Sequence, residues 1–171
     1  AYANDIEAKW KDFHGRLGGE VVTWAYSNLL PHKEIMIRPL SWGSPWFERV
    51  FTKYFYGLSR DLIWKTRKLN KAAADRALIN IKKWFAKVDG MLADGRKYLY
   101  GDRMTLADLA FAVSGAPVVL PNNYGGYQDE QGPIPTFEQF PKELQETITE
   151  MRETPAGKFI LRLYAEERFY K

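Results

Sequence analysis

Apolar residues recur along the chain at steps of three and four, broken by Gly and Pro, and no stretch alternates strictly in twos, so the pattern predicts helices and no sheet. Six helices are expected. The first carries Ile6, Trp10, Phe13, Leu17, Val21 and Trp24, is weakened by Gly15, Gly18 and Gly19, and should stop by Pro31, because proline disfavours helix at the residue before it. The second carries Trp46, Phe47, Val50, Phe51, Tyr54, Phe55, Leu58 and Leu62, with Ser44 and Pro45 reading as its N-cap and first-turn proline. The third begins near Asn70, runs through Ala74, Leu78, Ile81, Phe85, Val88 and Leu92, and ends in the Asp94-Gly95 turn.

The fourth helix starts with Thr105 three residues before Asp108, the spacing of a capping box in which Asp replaces the usual Glu. Met104 and Leu109 occupy the staple positions flanking it. The residues that follow, Leu106, Ala107, Leu109, Ala110, Phe111, Ala112 and Val113, are apolar on every side, which predicts a helix buried all round at the centre of the domain. After a long Pro- and Gly-bearing connection from Pro121 to Pro135, a fifth helix starts near Pro141 with Leu144, Ile148 and Met151. Thr154 and Pro155 then open a sixth, whose Phe159, Ile160, Leu163 and Tyr164 should face inward. The expected fold is an all-α bundle of about six helices packed around one central helix, in a single domain over residues 1–171.

Composition narrows the function rather than the fold. Cysteine is absent, which removes disulfides, thiolate nucleophiles and Cys-based metal sites together. A net charge of +4 is a small excess, and the basic residues Lys65, Arg67, Lys68, Lys71, Lys82 and Lys83 lack base-reading motifs, so they read as a solvated face and no specific nucleic acid is expected. The most apolar run, Leu106 to Leu120, is too short for a membrane span and contains Asp108. Peripheral membrane contact remains compatible with the aromatic second helix. No targeting segment is visible, and the expected compartment is the cytoplasm or an organellar stroma or matrix.

Six Trp, ten Tyr and ten Phe make the chain rich in rings, and large rings supply much of the energy of cores and interfaces. Trp46, Phe47, Phe51, Tyr54 and Phe55 are therefore candidate partner-docking residues, set against burial within the bundle or in a dimer. Tyr124 and Tyr127, in the glycine-flanked connection, are lid candidates set against an ordinary surface loop. His14 and His32 form no metal set at ligand spacing, and His32, beside Pro31, is the better functional candidate of the two. Asp108 reads as a structural cap, and no catalytic residue is assigned.

The run Tyr98-Leu99-Tyr100-Gly101-Asp102-Arg103-Met104-Thr105-Leu106-Ala107-Asp108-Leu109 resembles the segment that starts the central helix of the glutathione transferase C-terminal domain. Ile6 to Leu30 is similar to that domain's first helix and Ala72 to Leu92 to its second, while the aromatic segment from Trp42 to Trp64 is longer than many members place between them. The resemblance puts Trp24 and Tyr26 near positions that line the family's hydrophobic co-substrate cleft, with His32 and Tyr124 as further cleft candidates. It also implies a thioredoxin-like half that activates glutathione, and none of that half's pattern is present in these residues. No cofactor is expected on this chain, glutathione entering only if a thioredoxin-like domain is supplied.

The expected function is a ligand-binding or protein-interaction domain unable to activate glutathione alone, taking a hydrophobic small molecule, a protein partner or a second copy along the first and fourth helices. The competing expectations are the C-terminal half of a complete glutathione transferase and a non-catalytic structural subunit of a larger, membrane-associated assembly.

Overall fold

The computed structural model describes residues 2–122, 124–126 and 132–168. The glycines of the first helix do not break it. Helix α1 (Tyr2–Lys11) passes into a π-helical turn (Asp12–Leu17) and on into α2 (Gly18–Leu29), with Lys11 and Gly18 both keeping right-handed helical dihedrals. A π turn inserts an extra residue and re-phases the faces on either side of it. Phe13 and Leu17 thereby both point into the core with no exposed surface.

Helix α3 (Lys33–Ser41) was not expected, because its apolar patch is short and Pro39 sits inside it. It holds over its nine residues and closes with the Ser41 hydroxyl donating to the Ile37 carbonyl at 2.7 Å. Helix α4 (Trp46–Thr66) starts one residue later than a Ser44 cap would place it: Pro45 holds the N-cap position, and the Ser44 carbonyl accepts instead from Arg49 Nε at 2.9 Å. Helix α5 (Lys71–Leu92) is capped by Asn70, whose Oδ1 accepts from the Ala73 amide at 2.8 Å. Helix α6 (Leu106–Val119) follows, then α7 (Lys142–Glu153) and α8 (Pro155–Glu166), the last capped by Thr154 through the Gly157 amide at 2.9 Å. Among the described residues the only β-type pairing is one isolated bridge between Tyr98 and Gly101, so the fold is all-α.

Phe111 of α6 is the hub of the main core. Its ring stands 5.1 Å from Phe13, 5.3 Å from Phe85 and 6.4 Å from Phe159, which ties α6 to the π turn, α5 and α8 at once. Gly115, one turn further on, keeps α6 close to both neighbours: a Cβ there would lie 2.6 Å from the Ile160 side chain and 3.4 Å from Phe85. A second, smaller core joins Leu30, Met36, Tyr56 and Leu69 under α3 and α4.

The expectation that α6 is buried all round is corrected. Leu106, Leu109 and Val113 share one edge of the helix and are 48–52% exposed, and Met104 just before it is 46% exposed. An all-apolar sequence carries no mark of which edge lacks a neighbour, and among the described residues no other element closes over this edge.

Candidate interaction surface

Helix α4 has two opposed faces. Tyr56 is its one fully buried residue, and its hydroxyl donates to the Leu30 carbonyl at 2.7 Å, which pins α4 to the C-terminal end of α2. Burial raises the Tyr56 phenol above its ordinary pKa, so it stays a neutral donor. The opposite face holds Phe47, Phe51, Tyr54, Phe55, Leu58 and Leu62, all 47–77% exposed. Trp46, at 77%, flanks it at the N-terminal end and meets Phe47 edge-on with centroids 6.0 Å apart. Phe51 and Phe55 stack on each other at 4.5 Å. Among the described residues nothing buries this stripe. Single exposed apolar residues are ordinary, but a contiguous row of large ones marks a contact surface.

The Thr105 box closes through the Asp108 carboxylate, which reaches back to the Thr105 amide. Asp108 has no exposed surface and is fully used: its Oδ2 accepts from the Thr105 amide at 2.7 Å and the Thr105 hydroxyl at 2.6 Å, while Oδ1 accepts from the Leu99 amide at 2.7 Å. The carboxylate thus fastens the incoming loop to the first turn of α6, where the helix dipole also favours a negative charge. Met104 and Leu109 lie on the exposed edge beside it.

Of the four cleft candidates, Tyr26 and Tyr124 stand near enough for the Tyr26 phenol to contribute to the raised phenol of Tyr124. Trp24 is a core residue, 3% exposed. Tyr26 is half-buried, with the Arg67 guanidinium 5.7 Å above its ring. His32 sits at the start of α3 with Nδ1 3.5 Å from a Glu34 carboxylate oxygen, and His14 stacks flat on Trp10 at 5.9 Å. Tyr124 alone lines a large cleft, of about 920 Å³, together with Ile134, Phe137, Leu161 and Tyr164.

Tyr124 meets Tyr164 edge-on at 6.4 Å. Its phenol is pushed up to about 12, first by burial and then by the neighbouring Tyr164, so it serves as a neutral hydrogen-bonding group rather than a nucleophile. Tyr127 lies outside the described residues. Arg152 closes one side of the cleft by donating to the Val119 and Leu120 carbonyls at 2.8 and 2.7 Å, which caps the C-terminal end of α6. Sequence periodicity places Tyr164 and Arg152 on their helices but gives no sign that both reach the Tyr124 loop.

The basic residues form no single cradle. Lys82 is paired with Glu150 at 2.6 Å, Lys71 lies 3.7 Å from Asp75, and Arg67 covers Tyr26. Among the described residues no helix is long and apolar enough to cross a membrane.

Residues 46–114 match the family model for the glutathione S-transferase C-terminal domain. The matched stretch opens with α4, takes in all of α5 and the Thr105 box, and ends inside α6, so the aromatic helix lies within the match. Comparison with curated proteins and with solved structures finds no match in either set.

Proposed function

The chain carries a glutathione S-transferase C-terminal-like domain, and on that premise we propose that it works as an interaction module whose working surface is the outward face of α4. The observation that carries this reading is the row of six large apolar side chains opposite Tyr56 on an otherwise anchored helix. Leaving such a row in water costs about 25 cal/mol for each Å² of apolar surface that a partner would cover. The row contains the partner-docking candidates Phe47, Phe51, Tyr54 and Phe55, whereas the stripe of the first helix, the other location expected, is spent on the core.

Hydroxyl-radical footprinting read by mass spectrometry tests it. Phe51, Phe55 and Leu58 should be protected in intact cells and reactive in the diluted, purified chain. Full reactivity in cells would sink the proposal.

A second reading follows from the cleft beside Tyr124, whose lining mixes Ile134, Phe137 and Leu161 with Asn122, Thr136, Glu138 and Arg152 and so suits a small molecule with both apolar and hydrogen-bonding parts. Neither reading gives the domain a means of activating glutathione. Calorimetric titration of glutathione into the chain should show no binding, and conjugation by these residues alone would overturn that part of the proposal.

A further inference from the structure

The cleft beside Tyr124 is lined by a cation whose bonding is incomplete. Two of the five N–H groups of the Arg152 guanidinium are taken up by the end of α6, Nε donating to the Val119 carbonyl at 2.8 Å and Nη2 to the Leu120 carbonyl at 2.7 Å. Those bonds occupy one edge of the planar group. The other edge, formed by Nη1 and the second N–H of Nη2, has no hydrogen-bond or ion-pair partner among the described residues. Phe137 lies against the flat face, with 4.9 Å between the guanidinium carbon and the ring centroid. A guanidinium edge with two parallel N–H groups matches the two oxygens of a carboxylate.

The protein supplies no carboxylate to that edge. Glu138 also lines the cleft, on its exposed rim, and forms no ion pair with Arg152. Burial holds the Arg152 pKa below its ordinary value, and the Glu138 charge restores only part of the loss.

We propose that the cleft takes a small organic carboxylate, with its head group on the open edge of Arg152 and its apolar body against Ile134, Phe137 and Leu161. This rests on the reading of the cleft as a ligand site and adds the charge and head group of the ligand. The far wall accepts an anion: Tyr124 and Tyr164 both have raised phenols and stay neutral, so neither opposes it. The Arg168 guanidinium lies 5.0 Å over the Tyr164 ring and its charge reaches Tyr124, so two cations border the cleft against the single carboxylate of Glu138. A cationic ligand would meet Arg152 unfavourably, and a neutral amide would leave the partly buried cation without a counter-charge. The volume of about 920 Å³ suits a molecule of drug size. Neither Trp24 nor Tyr26, the positions that the family resemblance assigned to a co-substrate, is among the lining residues.

Octanoate and its neutral counterpart octanamide, titrated into the chain and followed by NMR of the Ile134 and Leu161 methyl groups, test the proposal. Octanoate should shift both residues and bind about tenfold or more tightly than octanamide, the difference made by charge-assisted bonds to a guanidinium. Arg152→Lys keeps the charge and loses the fork, and it should weaken octanoate about tenfold while leaving octanamide within about twofold. Because Arg152 also closes the end of α6, a second variant stands apart from folding. Glu138→Gln on the rim should tighten octanoate about two- to threefold, by removing a like charge, and leave octanamide unchanged.

Equal affinity for the acid and the amide, or a Glu138→Gln variant that binds octanoate more weakly, would overturn the carboxylate and leave the cleft as a site for neutral or cationic ligands. Octanoate binding unchanged by Arg152→Lys would overturn the role of the guanidinium edge. If neither probe moves the Ile134 and Leu161 methyl groups, or if shifts are confined to Leu58 and Leu62 on α4, the cleft reading falls together with the inference.

Discussion

Helices α4 and α6 are both rich in apolar side chains and use them in opposite ways. In α6, Phe111 alone joins three other elements, and Ala107, Ala110, Ala112, Ala116, Val118 and Val119 are buried around it. In α4 only Tyr56 is buried, while the rings that dominate its sequence face outward. The small residues explain the difference. Alanines and Gly115 let neighbouring helices close to within contact of the α6 backbone, whereas a surface of Phe, Tyr and Trp keeps other backbones at a distance and presents area for docking.

The largest expected effect comes from emptying the centre of that comparison. Phe111→Ala should cost about 3–5 kcal/mol in denaturant unfolding, since it deletes a fully buried ring contacted from three sides. A loss under about 1 kcal/mol would show that α6 is less central than its packing indicates. Asp108→Ala should cost about 2–4 kcal/mol, because it leaves the Leu99 and Thr105 amides without their acceptor in a buried setting. Asp108→Asn, which keeps one acceptor oxygen, should lose less.

Gly115→Ala sharpens the point about small residues. The new methyl would meet Ile160 at 2.6 Å, and because the far end of that side chain can move, the cost should be about 1–3 kcal/mol, with Ile160 changing rotamer. Thermal unfolding and methyl NMR read both effects. In the opposite sense, Leu58→Ala on α4 should change the stability of the diluted monomer by no more than about 0.5 kcal/mol, since the side chain is 71% exposed.

The smallest effect belongs to the solvent-facing turn between α5 and α6. The Arg96 side chain, and then its backbone amide, hold the Asp94 carboxyl down to about 2. A lowered folded-state value means that the pair's contribution is complete above the ordinary carboxylate range near 4 and is lost as pH falls through about 2. Carboxyl-carbon NMR should place the Asp94 midpoint there, and added salt should move it back upward because the pair is exposed. A midpoint near 4 at low salt would refute the pairing.

The sequence by itself determined the helices that carry strong periodicity and a chemical start signal. Asn70, the Thr105 box and the Thr154-Pro155 restart act through bonds that span three or four residues, so their outcome is set locally. The same locality explains what was not legible. Helix α3 has too few apolar positions to announce itself, and it forms because Met36 can reach Leu30, Tyr56 and Leu69. Periodicity grouped Phe47, Phe51, Tyr54 and Phe55 on one face, and the uniform apolarity of α6 implied burial on every side. Which faces have a neighbour was decided only by the tertiary structure, because a residue's place on its helix follows from the chain's own repeat, whereas its burial depends on whether a distant segment arrives to cover it.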